Sequence, residues 1–74
     1  MMKQEYVENL IRQYRLASGL TQDELAQRVN VSRQSIISIE QGRYTPSLSL
    51  ALKFARLFNT TVDTLFKLKD QING

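Results

Sequence analysis

Four residues near the middle of the chain have side chains and a spacing suited to recognising the edges of nucleic-acid bases. They are Arg33, Gln34, Ile37 and Ser38, and they fall on one side of a predicted helix over residues 33–41. Arginine forms two hydrogen bonds with guanine, glutamine does so with adenine, and serine bonds to either. We predict that this side of the helix reads base edges in a major groove.

Two plainer interpretations apply to the same side chains. Arg33 and Gln34 can form an ordinary solvated face, which is the usual position of such residues. Ile37 can contact a thymine methyl group, but it can equally be a spacer or a packing residue. The residue types alone therefore leave the role of this face open.

Three flanking residues are predicted to contact phosphate. Gln22 lies in the first turn of a predicted helix, where free N–H groups and the helix dipole favour an anion. Arg43 and Tyr44 follow the reading helix and can bind the backbone on the other side of the groove. Phosphate contacts would fix the register of the protein, whereas base contacts would specify the sequence.

Helical periodicity and stop signals predict the first helix. It is predicted to begin between Lys3 and Val7 and to end near Ser18, because Gly19 follows. Its apolar side consists of Val7, Leu10, Ile11, Tyr14 and Ala17. Leu16 lies off this side, and we expect it to be exposed.

Capping residues predict where the second and third helices begin. Thr21 and Glu24 have the spacing of a capping box, in which each side chain accepts a hydrogen bond from a backbone N–H. Asn30 is predicted to end helix 2 in the left-handed conformation. Ser32 is the predicted cap of helix 3, and Gly42 its predicted stop.

The C-terminal part predicts two further helices. Ser47 is the predicted cap of helix 4, over residues 48–58, whose wide apolar arc indicates burial in the core or against a partner. Thr61 is the predicted cap of a short helix 5. Residues 66–69 alternate apolar and basic, which fits either a short strand or the last turn of helix 5, and residues 70–74 are expected to fray. The predicted fold is an all-α compact bundle of five short helices, with a possible short strand at the C-terminal end.

Composition limits the function classes. The 74 residues predict one domain over 1–74, with its core at about 7–66. The chain has no cysteine and no histidine, which removes the commonest metal ligands and catalytic bases, so we expect no cofactor, no metal and no enzyme activity. The net charge of +3 is only mildly suggestive of a nucleic-acid partner. A secretion signal and a membrane span are both absent from the pattern, so a cytoplasmic location is expected.

The stretch from Leu20 to Gly42 resembles the helix-turn-helix family of phage lambda-type repressors and Cro proteins, also called the xenobiotic-response-element family. The matching positions read LTQxxLAxxxxVSxxxIxxIExG. The similarity continues through the RYxPSL motif at 43–48 and through Leu52 and Ala55, and covers about residues 10–66. Asn30 stands where the family usually has glycine, and Tyr14 where it usually has leucine.

The resemblance implies a bacterial or phage transcriptional regulator, associated with the nucleoid, that binds double-stranded DNA sequence-specifically as a homodimer. We expect a repressor that reads the major groove with helix 3. It assigns base contacts to the four residues named first. Phosphate contacts fall to Gln22, Ser35 and the Arg43–Tyr44 loop, and we add Ser32. Ser35 can instead serve only to cap helix 3. The resemblance also implies an ion pair between Arg15 and Glu40. Since the pattern indicates no effector domain, the chain is similar to the short, DNA-binding-only members.

We expect a dimer surface in the C-terminal part, because the chain has more apolar residues than one small core can cover. The predicted surface consists of Leu57, Val62, Leu65, Phe66 and Leu68. The alternative function is an antitoxin-like module in which the wide apolar arc of helix 4 binds a small partner protein. The second alternative is an enzyme, which the absence of histidine and cysteine disfavours.

Overall fold

The computed structural model describes residues 2–73 and contains five helices and two strands. In chain order they are β1 Met2–Asn9, α1 Ile11–Ala17, α2 Gln22–Val29, α3 Arg33–Glu40, α4 Leu48–Leu57, α5 Val62–Leu65 and β2 Phe66–Asn73. The fold is therefore mostly helical, and the prediction of an all-α bundle is correct for the five helices only. Within the described residues, no helix is long and apolar enough to cross a membrane.

The predicted caps are confirmed for α2, α3, α4 and α5. Thr21 and Glu24 form the capping box, with the Thr21 hydroxyl accepting from the Glu24 N–H and the Glu24 carboxylate accepting from the Thr21 N–H. Hydrogen bonding of the Glu24 carboxylate to Thr21, first to its backbone N–H and then to its side chain, lowers the pKa of Glu24. The cap is therefore fully formed above the ordinary pKa of a glutamate and weakens as the pH falls through the lowered value. Ser32, Ser47 and Thr61 cap the other three helices.

A left-handed residue follows each of the two helices α2 and α3, which we call the α2–α3 unit. Asn30 has a φ of 61°, and the N–H of Val31 bonds to the carbonyl of Ala26, so the chain reverses over one residue. Asparagine tolerates this conformation, as predicted. Gly42 has a φ of 77° and ends α3. A side chain at that position would be strained by the backbone even though there is space for a Cβ.

The two ends of the chain pair as an antiparallel ribbon, which corrects two predictions. Helix 1 does not begin between Lys3 and Val7, because those residues belong to β1 and α1 starts at Ile11. Residues 70–73 do not fray but belong to β2, so the strand alternative for residues 66–69 is confirmed. We call Met2–Asn9 and Phe66–Asn73 the terminal ribbon; Asn9 lies opposite Phe66 and Met2 opposite Asn73. Gly74 lies outside the described residues.

The physical reason for the first correction is that a strand depends on a distant partner. The apolar residues at 7, 10 and 11 match a helical period, but residues 2–9 pair with residues 66–73. At the junction, the N–H of Leu10 bonds to the carbonyl of Leu65, and the side chain of Asn9 accepts from the N–H of Ile11. The helix can therefore begin only after this junction.

One hydrophobic core lies between the helices. Its buried members are Ile11, Leu25, Ala26, Val29, Ile36, Ile39, Leu50, Phe54, Ala55 and Leu65. Tyr14 packs against this core and contacts the ring of Phe58, with centroids 5.7 Å apart. The arc of α4 is narrower than predicted, because Leu48 and Leu52 are 70% and 53% exposed. Leu16 is exposed, as expected.

Candidate nucleic-acid interface

Helix α3 has a buried side and an accessible side, as its sequence predicts. Ile36 and Ile39 are completely buried, and they anchor α3 in the core. The four predicted base-reading residues lie on the other side, where Arg33 and Gln34 are exposed and Ile37 and Ser38 are half-buried. The structure thus brings the four side chains onto one surface, and partial burial explains how an isoleucine can occur there.

This surface separates two grooves. Arg33 and Ile37 line the larger groove, of about 700 Å³. This groove lies between α3, the first turns of α1 and the start of α2. Gln34 and Ser38 line the smaller groove, of about 310 Å³. The accessible side of α3 therefore forms a ridge between the two grooves. A ridge of this kind can fit into a concave partner.

The larger groove gathers residues from three helices. The contribution of α1 includes Arg12, and that of α2 includes Gln22, which are joined by Arg33 from α3. Arg12 is exposed, and the sequence prediction did not include it. The signal was present, because Arg12 lies one helical turn before Arg15, whose predicted partner is on α3.

The smaller groove contains both serines from the start of α3, together with Tyr44. The hydroxyl of Ser32 accepts from the Ser35 N–H at 3.1 Å, and the two hydroxyl oxygens lie 3.0 Å apart. Ser32 is therefore the cap, and the Ser35 hydroxyl contacts it, which is compatible with the capping alternative for Ser35. Tyr44 is 46% exposed on this groove, and Arg43 is exposed in the same loop.

A buried ion pair links α1 to the end of α3. Nε of Arg15 lies 2.6 Å from Oε2 of Glu40, and Nη2 donates to Oε1 at 3.2 Å. Nη1 of Arg15 donates to the carbonyl of Leu20, while the amide of Gln22 donates to Glu40. The two side chains are only 10% and 4% exposed. This pair, which the resemblance implied, joins α1, the start of α2 and α3.

The predicted dimer surface needs one correction. Leu65 is completely buried in the core of its own chain, because α5 turns this side chain inward, so it cannot contact a partner. Leu57, Val62 and Phe66 pack against the core but remain partly accessible. Leu68 is 68% exposed on the terminal ribbon.

Comparison with known proteins gives a consistent answer. The sequence profile described as "Helix-turn-helix" matches residues 11–65. An uncharacterized HTH-type transcriptional regulator of Archaeoglobus fulgidus is 48% identical over 61 residues, which cover 82% of this chain and 87% of the relative. Among solved structures, the restriction-modification controller protein C.AhdI of Aeromonas hydrophila shares 30% identity with a TM-score of 0.67, covering 73% of this chain and 82% of that one.

This chain also resembles part of a second, longer protein of known structure. The clp gene regulator ClgR of Corynebacterium glutamicum is 29% identical with a TM-score of 0.65, over 70% of this chain. The present chain spans only about half of its length, 55%. Because the matched profile covers most of the chain and includes the α2–α3 unit, this chain belongs to the helix-turn-helix family of DNA-binding transcriptional regulators of the Cro/C1, or xenobiotic-response-element, type.

Proposed function

We propose that this chain is a repressor that binds its operator as a homodimer and acts by occupying the site. The observation that carries the proposal is the accessible surface of α3, where Arg33, Gln34, Ile37 and Ser38 lie beside one another between two grooves. A recognition helix of this kind enters the major groove with its N-terminal residues near the base edges. Arg33 and Gln34 occupy those N-terminal positions.

Within this proposal each reading residue has a role. Arg33 forms a bidentate pair with guanine and Gln34 with adenine. Ser38 hydrogen-bonds to a base, and Ile37 contacts a thymine methyl group. Ile37 is half-buried, so only part of its apolar surface is in water when DNA is absent. The free-energy cost of exposing this side chain in the unbound protein is therefore small.

The proposed phosphate contacts lie on both sides of α3. Gln22, at the first position of α2, offers a backbone N–H, because the N–H groups of a first helical turn have no intrahelical acceptor. Ser32, Ser35, Arg43 and Tyr44 are proposed for the other side. Arg12, in the larger groove, adds one further candidate.

Selection of bound sequences from random duplex DNA, followed by binding measurements, tests the reading face. We expect Arg33→Ala to lose the preference at one position of each half-site, with affinity for the selected site reduced by about 5- to 150-fold, the equivalent of 1–3 kcal/mol. Binding to unrelated DNA should change much less, because that binding depends on phosphate contacts.

The matched control for this prediction is Arg56→Ala. Arg56 is an exposed arginine on the last turn of α4 and lines a different groove, with Arg28 and Lys53. Its removal changes the net charge equally, so it should weaken binding to all sequences slightly and leave the selected sequence unchanged. An Arg33→Ala protein that selects the wild-type sequence would contradict the proposed direct readout.

We propose that the dimer uses the accessible parts of Leu57, Val62, Phe66 and Leu68. A dimer places two copies of α3 at half-sites about one helical turn of DNA apart. Sedimentation at micromolar concentration should therefore show a dimer, and Leu68→Lys should shift it toward the monomer, because this leucine is 68% exposed on one chain. A wild-type protein that sediments as a monomer would contradict the dimer.

One observation favours a second candidate, an antitoxin-like module that binds a small protein. Leu48 and Leu52 lie one turn apart on α4, and both are largely exposed, which is unusual for two neighbouring leucines. Copurification of the chain with a small partner, lost in a Leu48→Lys, Leu52→Lys double variant, would support this candidate over the repressor.

A further inference from the structure

Asn9 connects three elements through its side chain. It is the last residue of β1, and its Nδ2 donates to the carbonyl oxygen of Ile39 at 2.9 Å, in the last turn of α3. Its Oδ1 accepts from the N–H of Ile11 at 3.0 Å, in the first turn of α1. One amide group therefore ties the terminal ribbon to the start of α1 and to the end of the reading helix.

The hydrogen bond from Asn9 falls at the C-terminal end of α3, where backbone carbonyls need donors from outside the helix. The last carbonyls of a helix have no intrahelical donor, so they are satisfied by other groups. The carbonyl of Ile39 also accepts from the N–H of Gly42 at 3.0 Å, and Asn9 supplies a second donor from outside the helix. Residues 6–9 of β1 and residues 40–42 line a groove of about 320 Å³, so the strand runs beside this end of α3.

Other contacts also fix α3, and at its end the N–H groups of residues 41–43 bond back to its carbonyls. Ser32 fixes the start of the helix, and the buried Ile36 and Ile39 fix its inner side. The ion pair of Glu40 with Arg15 holds the last turn toward α1. Asn9 is the contact that holds the same turn from the side of the terminal ribbon, and it lies outside residues 11–65, the part of the chain that matches the family.

We propose that Asn9 is a positioning residue for DNA recognition: by holding the carbonyl of Ile39, it makes the terminal ribbon set the orientation of the reading helix. The proposal rests on the proposed function of α3 as the helix that reads base edges. A rotation or shift of the last turn of α3 moves its side chains relative to the bases, whereas phosphate contacts from flexible side chains adjust more easily.

Two substitutions of Asn9 separate its hydrogen bond to α3 from its hydrogen bond to α1. Asn9→Asp keeps an oxygen that accepts from the Ile11 N–H but replaces the donor to Ile39 with a carboxylate oxygen. Asn9→Ala removes both hydrogen bonds. A matched control is Asn59→Ala, because Asn59 is an exposed asparagine with a φ of 54° at the end of α4. Alanine is strained at that φ, so the control destabilises the fold through α4 rather than through α3.

The experiment compares the affinity of each variant for the selected duplex with its affinity for a scrambled duplex. It also measures melting temperature and amide hydrogen exchange at residues 41–43 of the free protein. We expect both Asn9 variants to lose about tenfold in the affinity ratio and to exchange faster at residues 41–43, because both lose the hydrogen bond to the carbonyl of Ile39. Asn59→Ala should lower the melting temperature but leave both the ratio and the exchange unchanged.

Three outcomes would overturn the proposal. Asn9→Asp with a wild-type ratio and wild-type exchange would show that only the hydrogen bond from the Ile11 N–H matters. An equal loss of the ratio in Asn59→Ala would show that general stability, not position, controls recognition. If the wild type selects no DNA sequence, the proposed function of α3 fails. In that case, unchanged amide exchange at residues 41–43 in Asn9→Asp would separately show that Asn9 does not position the end of α3.

Discussion

Replacing Glu40 with alanine should lower the melting temperature of this protein by more than about 12 °C. The substitution leaves the guanidinium of Arg15, whose side chain is 10% exposed, without its carboxylate partner. Removing one member of a buried ion pair typically costs about 3–5 kcal/mol, because the remaining charge stays in a poorly solvated site. In a domain of this size, each kcal/mol corresponds to about 4–8 °C.

The control for this prediction is Arg33→Ala, on the accessible side of the same helix. Arg33 is exposed, so its removal should change the free energy of unfolding by less than about 0.5 kcal/mol. Thermal melting followed by circular dichroism measures both variants. Comparable melting temperatures for Glu40→Ala and Arg33→Ala would show that the Arg15–Glu40 pair does not stabilise the fold.

The two variants should also separate stability from recognition. Glu40→Ala disturbs the position of Gln22 as well, because the Gln22 amide donates to Glu40. Any loss of DNA binding in Glu40→Ala therefore mixes unfolding with local disorder at the start of α2. Arg33→Ala should lose recognition in a protein that remains folded, so Arg33 tests the proposed reading role and Glu40 the structural role.

The elements that were predictable are those whose signals are local. Thr21 with Glu24, and Ser32, Ser47 and Thr61, lie within three residues of the N–H groups they cap, so residue types alone place four helix starts. The sidedness of α3 follows in the same way from about 100° of rotation per residue. The arrangement of Arg33 and Gln34 on an accessible side thus required no tertiary information.

The elements that were not predictable depend on partners far away in the sequence. β1 pairs with β2 more than fifty residues later, and no local period reports this pairing. The proposed role of Asn9 can be inferred only from its contact with Ile39, which lies thirty residues further along the chain. Burial is equally non-local. Leu65 is predicted on a dimer surface because the chain has more apolar residues than one small core can cover, but the sequence does not show which of them the core takes, and the structure buries Leu65 completely.

Replacing Phe54 with alanine should destabilise the fold by about 3–5 kcal/mol, because a large buried side chain is lost and a cavity remains. Phe54 is completely buried in the core and lies near two other rings, with centroids 6.5 Å from Phe58 and 6.4 Å from Phe66. Phe66 is the first residue of β2, so the cavity also removes support from the root of the terminal ribbon.

The effect of Phe54→Ala should therefore reach beyond the helices. An antiparallel pair of two strands is marginally stable without packing, so the ribbon amides should exchange faster in this variant even where the helices remain folded.

The control is Leu52→Ala on the same helix. Leu52 is 53% exposed, so its replacement should change the free energy of unfolding by less than about 0.5 kcal/mol. Denaturant unfolding and hydrogen exchange measure the two effects. If Phe54→Ala unfolds at the same denaturant concentration as Leu52→Ala, the aromatic cluster does not join the helical core to the ribbon. If it loses stability without faster exchange in the ribbon, the cluster supports the helices alone, and the position of Asn9 must depend on the strand pairing itself.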